Sequence, residues 1–376
     1  MTTPAHPLFM QRAIELAREG LYTTAPNPRV GCVLVREGAV IGCGFHRRAG
    51  TAHAEVNAIA DARSQGHHTA GATAYVTLEP CSHSGKTPPC CEALIEAQIA
   101  QLWVGMVDPN PLVSGRGIAA LQGAGIAVNV GLLGSECRAL NLGFISRMES
   151  GRPRVRAKLA MSLDGRTAMA SGESQWITGA PARSEVQRLR AQSCAIISGV
   201  NTVLQDRASL TVRVDELGLA SELAAAAARS QPLRVVLDSK LRLPPTANIL
   251  SQPGATVIVA AEENTVAEQA LVDAGAEVLY LPDATGKIDL PALLTVLAQR
   301  QCNEVLLESG ATLAGAMASH GLIDHYTIFM APTLLGNLAR GLLALPLTTM
   351  AQQQRLHIDS ISPIGDDWQI EARPDG

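Results

Sequence analysis

The sequence predicts two successive α/β domains, an N-terminal α/β/α sandwich over residues 1–148 and a second, largely parallel α/β domain over residues 149–376. Three observations predict this. A chain of 376 residues exceeds what one hydrophobic core supports, since single cores stop growing near ~250–300 residues. Short apolar runs alternate with helical stretches along the whole chain, as strands joined by helical crossovers do. Between a helix and a strand, Arg147-Met148-Glu149-Ser150-Gly151-Arg152-Pro153 mixes charge, glycine and proline as a linker does.

The first half reads in order. Phe9 to Ala17 is an amphipathic helix that stops near Gly20. A proline-rich loop then leads into Gly31-Cys32-Val33-Leu34-Val35, a turn at Arg36-Glu37-Gly38, and Ala39-Val40-Ile41-Gly42, which together predict a hairpin. His53 opens a helix through Ala60. The apolar run Ala74 to Leu78 is a strand stopped by Glu79-Pro80, and Pro88-Pro89 leads into a helix beginning at Cys90-Cys91. Leu102 to Val107, halted by Asp108-Pro109-Asn110-Pro111, and Ile126 to Val130 complete a mixed sheet.

Within these elements, His53-Ala54-Glu55, Pro80-Cys81 and Cys90 stand in the order used by zinc-dependent deaminases of nitrogen heterocycles. A zinc held by one His and two Cys keeps its fourth position open for water, whereas a structural site fills it with protein. The metal lowers the pKa of that water from ~15.7 to about 7. Glu55, two residues beyond a ligand but not itself one, can take the water's proton and return it to the ring nitrogen and the departing ammonia. Free N–H groups at a helix start favour thiolate sulfur, so Cys90 and Cys91 compete for the third ligand position. His67 and His68 fall in a polar stretch and read as exposed loop.

Composition narrows the partner. A formal charge of −4 and 3% aromatic residues provide neither the basic surface nor the stacking faces of a nucleic-acid binder. The expected substrate is a small molecule. No apolar run reaches the ~18 residues of a membrane span, and no basic-then-apolar leader opens the sequence, so no membrane association is expected. Eight cysteines without framework spacing fit a reducing cytoplasm.

The second half opens with Val155 to Ser162, a strand running toward the turn Asp164-Gly165. Apolar strands follow at 195–199, 233–238, 255–260, 278–281 and 305–308, most separated by helical stretches. The alanine-rich run 220–228 has helical composition and reads as a peripheral insertion. Glu308-Ser309-Gly310-Ala311-Thr312-Leu313-Ala314-Gly315 follows a strand and opens a helix, a place where backbone N–H groups hold phosphate, although the spaced three-glycine dinucleotide fingerprint is missing.

Taken together, Pro26-Asn27-Pro28-Arg29-Val30-Gly31-Cys32-Val33, Gly44-Phe45-His46, His53-Ala54-Glu55 and the run from Leu78 to Cys91 resemble the bifunctional deaminase/reductases of riboflavin biosynthesis. The eight residues between Cys81 and Cys90, four times the usual two, are that family's distinguishing loop. Ser174-Gln175-Trp176-Ile177-Thr178, Asn201 to Asp206, Leu210 to Arg213 and Glu308 to Gly315 resemble its reductase half. The resemblance implies a cytidine-deaminase-like sandwich followed by a dihydrofolate-reductase-like domain. It implies one zinc per chain on His53, Cys81 and Cys90, with Glu55 as proton shuttle, and Asn27, His46, His83 and Lys86 around the deaminase substrate. In the second half it implies NADPH against Ala160, Trp176, Thr202, Asp206, Ser239 and Gly310, Ala311, Thr312, Leu313, Ala314, Gly315 and Ala316. Lys158, Ser174, Arg190, Leu210, Arg213 and Glu308 would meet the ribosyl substrate, the arginines suiting its 5′-phosphate. One departure is Arg207-Ala208-Ser209 where a proline is expected after Asp206. A homo-oligomer is expected. The competing reading is a nucleobase or tRNA deaminase with a non-catalytic C-terminal domain.

Overall fold

The computed structural model describes residues 6–82 and 89–375, and its contacts group into two compact units, Met1–Arg152 and Pro153–Gly376.

The first unit is built on five strands, β1 (Gly31–Arg36), β2 (Ala39–Phe45), β3 (Thr73–Val76), β4 (Gln101–Val104) and β5 (Ala127–Val130), in the order β2-β1-β3-β4-β5. The β1–β2 hairpin turns at Glu37 and Gly38, both at positive φ, as the twist of a two-residue hairpin requires. β3, β4 and β5 run parallel; β3 and β4 are largely buried, which is why they read as continuous apolar runs, while β5 at the sheet edge is more exposed. One face packs α1 (Pro7–Arg18) through Met10 and Ile14 against Val33, Val35 and Tyr75. The opposite face packs α2 (Ala54–Ser64), α3 (Cys90–Glu96) and α4 (Arg116–Gly123) against Cys32, Leu34, Val76 and Val104. Helices α5 (Gly134–Ala139) and α6 (Leu142–Ser150) end the unit. The result is the expected α/β/α sandwich.

Two glycines set the position of α2 on this sheet. A Cβ on Gly44 would lie 2.4 Å from both Ala54 O and Ala58 N, and one on Gly42 would lie 2.4 Å from Ala58 O. With hydrogen there instead, the helix backbone rests directly on β2, and the N-terminus of α2 is held where its first residues are needed.

In the second unit β6 (Arg154–Ser162), β8 (Ala195–Gly199), β9 (Leu233–Leu237), β10 (Thr256–Ala260), β11 (Glu277–Tyr280), β12 (Glu304–Leu307) and β13 (His325–Ala331) form a parallel array, ordered β11-β10-β9-β8-β12-β6-β13. A short pair, β7 (Arg166–Ala168) with β14 (Arg340–Gly341), stands beside it. The sheet is largely parallel, as expected, and β15 (Leu356–Ile364) and β16 (Asp367–Pro374) extend it antiparallel from β13. β15 is exposed along nearly its whole length, and its apolar residues alternate with His357, Asp359 and Ser362 around a register shift. Such a stretch is hard to tell from a loop by hydropathy.

Helices α12 (Leu290–Gln299) and α13 (Ala311–Ser319) cover one face of this sheet, while α7 (Ala180–Gln192), α8 (Val200–Asp206), α10 (Asn248–Ser251) and α11 (Thr265–Asp273) cover the other. The alanine-rich run forms α9 (Ser221–Arg229), which packs beside α7. From β8 the chain proceeds outward to β9, and from β12 it crosses to β13 on the other side. That reversal opens a crevice beyond the carboxyl ends of β8 and β12, where ligands of open α/β sheets bind.

Gly44→Ala should drive a methyl group into the α2 backbone and destabilise the first unit by at least about 1–3 kcal/mol, seen as a lower urea midpoint. Gly123→Ala in α4, whose Cβ meets nothing within 4 Å, is the control and should leave that midpoint unchanged or raise it.

Candidate functional site

In the first unit, His53 is the N-cap of α2, extended at φ −78 and ψ 171, and Glu55 lies in the first helical turn at 3% exposure. β3 delivers Pro80-Cys81 just past its end. Pro89 caps α3 at φ −61, a value its ring favours, so Cys90 becomes the first helical residue. These three entries converge. His53 Nδ1 is 3.2 Å from Cys90 Sγ and 3.6 Å from Cys81 Sγ, and all three ligand atoms lie within 4.8 Å of one another.

One imidazole and two sulfurs at this spacing suit a tetrahedral zinc with one position left for a non-protein ligand. The protonation pattern shows how the protein alone manages two adjacent sulfurs, one buried and one half-buried. The hydrogen bond from Cys90, with His53 beside it, outweighs burial and brings Cys81 down to about 4. Cys90, which holds the shared proton, is pushed far up by Cys81 and by burial. The Cys90 backbone N–H also donates to Cys81 Sγ at 3.4 Å. A dication at this point would favour thiolate on both sulfurs.

Cys91 is turned elsewhere. Its Sγ donates to Pro80 O at 3.4 Å and Gly117 O at 3.5 Å, and burial pushes its thiol up to about 12. Glu55 is raised above the ordinary carboxyl range, chiefly by burial, so a proton it accepts is held more readily.

His46 is nearly inaccessible at 2% exposure and stands edge-on to His53, with ring centroids 5.0 Å apart. Its Nδ1 lies 3.2 Å from Ala52 O, which can only accept, so Nδ1 carries the proton and Nε2 accepts from Asn27 Nδ2 at 3.1 Å. Burial, with the His53 charge, lowers the His46 pKa against the Ala52 bond and keeps the ring neutral. With Nδ2 donating to His46, the Asn27 amide is oriented and its Oδ1 is the acceptor it has to offer. His83 and Lys86 lie outside the described residues, while His67 and His68 are exposed.

The second unit contains a cleft of about 930 Å³ at the strand crevice. Lys158, Ala160, Ser174, Trp176, Arg190, Thr202, Asp206, Leu210, Arg213, Ser239, Glu308, Gly310, Ala311, Thr312, Leu313 and Ala316 all line it. Ala314 and Gly315 do not. The helical turn points them at the core: Ala314 is fully buried among apolar side chains, and a Cβ on Gly315 would lie 2.3 Å from Ala344 O. Gly310 is the extended N-cap of α13, and the N–H groups of the first turn have no partner inside the helix. A Cβ on Gly310 would lie 3.9 Å from Thr202 Oγ1, so glycine leaves open space between this helix start and α8, which suits the phosphates of a dinucleotide.

Arg190 differs from the expected phosphate clamp. Its Nε and Nη2 donate to the two Glu308 carboxylate oxygens at 2.6 and 3.0 Å, and Nη1 donates to Thr211 O at 3.0 Å. All three guanidinium nitrogens are engaged, so Arg190 orients Glu308. Burial pushes Glu308 up, but the charge and bonds of Arg190, with Lys158 and Arg213, leave it below the ordinary carboxyl range. Burial lowers Lys158 against the attraction of Glu308 and Asp206, and burial raises Asp206 against Lys158 and a Ser174 hydrogen bond. The two groups are thus pushed toward sharing a proton. Arg213 pairs with Glu216 at 2.8 Å and is half exposed.

Other cleft residues carried no motif: Arg183, Arg242, Lys287 and Arg340 come from separate loops and helices. Arg183 stacks over the Trp176 ring at 4.8 Å, a pairing that sequence spacing alone did not single out. Arg207, the departure after Asp206, takes positive φ as the C-cap of α8 and also lines the cleft.

Known proteins match both units. Residues 153–370 fit the family model described as RibD C-terminal domain, and residues 4–106 fit the cytidine and deoxycytidylate deaminase zinc-binding region. The riboflavin biosynthesis protein RibD of Escherichia coli (strain K12) is 48% identical over 361 residues, 96% of each chain. That of Haemophilus influenzae is 45% identical over 378 residues, 98% of this chain and 97% of the relative. The structure of Acinetobacter baumannii RibD matches with a TM-score of 0.89 at 45% identity, covering 98% of this chain and 99% of that one. A Thermotoga maritima protein described as a diaminohydroxyphosphoribosylaminopyrimidine deaminase/5-amino-6-(5-phosphoribosylamino)uracil reductase matches with a TM-score of 0.84 at 32% identity over 98% of both chains.

The sulfur geometry yields a direct test. Cys90→Ser should remove bound zinc on dialysis against a mild chelator, whereas Cys91→Ser should retain it, with metal content read by atomic emission. Retention by the first variant and loss by the second would assign the ligand to Cys91.

Proposed function

The chain belongs to the RibD family of riboflavin-biosynthesis proteins, and from that membership we propose how its own residues carry the two reactions. It is a bifunctional enzyme of that pathway, a zinc-dependent deaminase and an NADPH-dependent reductase. It converts 2,5-diamino-6-(5-phosphoribosylamino)pyrimidin-4(3H)-one to the aminouracil and then reduces the ribosyl group to ribityl. The deaminase domain is taken as residues 1–148 and the reductase as 149–376.

The observation that carries the deaminase assignment is the convergence of His53, Cys81 and Cys90 with Glu55 buried beside them. Zinc, when bound to those three, supplies a water acidic enough to react near neutral pH. Glu55 would move two protons, the first from water to the ring nitrogen and the second from the added hydroxyl to the amine, which departs as ammonia while the C–O bond becomes a carbonyl. Its raised pKa supports this role, since the proton must be held between steps. Asn27 Oδ1, fixed by neutral His46, accepts from the N–H edge of the pyrimidine. His83 and Lys86 remain assigned to the substrate on family grounds.

NADPH supplies the hydride delivered to ribosyl C1′. Gly310, Ala311, Thr312 and Leu313 with Thr202 would hold the phosphates of the cofactor, and Ser239, Ala160 and Trp176 line the same cleft. Lys158 and Asp206 handle the proton that accompanies ring opening, and Ser174 orients Asp206. Glu308, held by Arg190, accepts from the ribosyl hydroxyls, and Arg213 with Leu210 bounds the substrate end. The reading of a nucleic-acid deaminase with an inert tail is not favoured, because the second unit carries its own family match and a built cleft.

No helix among the described residues is long and apolar enough to cross a membrane. A cytoplasmic setting is proposed from the eight free cysteines. A homo-oligomer is also proposed, supported by Ile358, Ile361 and Trp368, which stand exposed on the β15–β16 hairpin at 53%, 54% and 42%.

Glu55→Ala should reduce ammonia release from the diaminopyrimidinone phosphate by about 10²–10⁴-fold. NADPH oxidation on supplied deaminated substrate should be unchanged. Loss of both activities in a folded variant would argue against separable sites.

A further inference from the structure

Glu79 is a buried carboxylate at 3% exposure. Its charge is met by backbone alone. Oε2 accepts from Asp108 N at 3.1 Å and Gly115 N at 2.9 Å, and Oε1 accepts from Gly117 N at 3.0 Å and Ile118 N at 3.3 Å. Four N–H donors on one carboxylate make a charge-assisted knot. Two of them, Gly117 and Ile118, are first-turn N–H groups of α4 that have no intrahelical partner.

The knot ties three segments to one point. Glu79 itself is anchored by its N–H to Met106 O at 3.0 Å. The loop Asp108-Pro109-Asn110-Pro111 folds back through Asn110 N to Asp108 Oδ1 at 2.8 Å and Leu112 N to Asn110 Oδ1 at 3.0 Å. Gly115, at φ +78, turns into α4, and Gly117 presses on Pro80 so closely that a Cβ would lie 2.0 Å from Pro80 O. Cys91 then bridges Pro80 O and Gly117 O, while its N–H donates to Cys81 O at 3.2 Å. The α3 side of the Pro80-Cys81 turn is held by Cys90 and Cys91, and its α4 side is held through the Glu79 carboxylate and the close contact of Gly117 with Pro80. The chemistry of the knot is specific: a carboxylate offers acceptors to all four donors, whereas an amide presents N–H groups to two of them.

We propose that Glu79 is a positioning residue of the deaminase centre, holding Cys81 at the metal by fastening its turn to the α4 N-terminus. This rests on the reading of Cys81 as a ligand. Groups outside the ligand set that fix its geometry typically contribute about 10–100-fold to metal affinity.

The test uses the full chain, stripped of metal. Zinc affinity is measured by competition with a chromophoric chelator, and the cobalt-loaded form is read by its thiolate-to-cobalt absorption. Glu79→Gln should weaken zinc by about 10–100-fold and shift or weaken the cobalt band, with NADPH oxidation on deaminated substrate unchanged as the control for an intact chain. Glu79→Asp keeps the charge but is one methylene short, so it should fall between the two, and it decides the matter if the Gln variant does not fold. Wild-type zinc affinity and an unaltered cobalt band in whichever variant folds would overturn the proposal, even if thermal stability falls. If the wild-type chain shows no cobalt–thiolate band, the ligand assignment itself is wrong and the proposal falls with it.

Discussion

One imidazole and two sulfurs must reach one point at the edge of the interior, and much of the first unit follows from that requirement. A buried thiolate is unfavourable unless a cation or hydrogen bonds meet its charge. His53, Cys81 and Cys90 therefore sit where free backbone N–H groups already gather, at helix starts and beyond a strand end. Their convergence within 4.8 Å depends on α2 lying against β2, which Gly42 and Gly44 permit, and on β3 pairing between β1 and β4. Proline at 89 fixes the last approach.

The second unit meets a related difficulty without a metal. Lys158, Asp206, Arg190 and Glu308 bring four charged groups to the edge of a parallel sheet. The bidentate Arg190–Glu308 pair satisfies both partners by hydrogen bonds, and that geometry lets a largely buried pair stay ionised. Lys158 and Asp206 have no such mutual lock, so burial drives their pKa values toward each other. An ion pair locked by its own hydrogen bonds and a pair without that lock thus stand in one cleft, separated by how completely each is hydrogen-bonded.

What the sequence made legible was chemistry carried by neighbours in the chain. His53 and Glu55 share one helical turn, Pro80-Cys81 and Pro89-Cys90 are proline-marked entries, and Gly310 opens a helix after a strand. The α/β/α order and the central parallel strands were readable because buried parallel strands are continuous apolar runs. Three kinds of information were not local. Which of two adjacent cysteines faces the cluster is a question of helical phase, and phase also removes Ala314 and Gly315 from the cleft. Arg190 looks like a free phosphate clamp until a carboxylate 118 positions later takes its fork. The hairpin β15–β16 alternates polar and apolar residues in a segment with little burial, so hydropathy gave it no boundary.

The central claim is that the first unit holds zinc through three protein ligands and leaves one position for solvent. X-ray absorption at the zinc edge of the full chain measures this directly. The account predicts one imidazole nitrogen, two sulfurs and one further light ligand that changes on adding a substrate analogue. A centre with three sulfurs, or four protein ligands unmoved by the analogue, would contradict it.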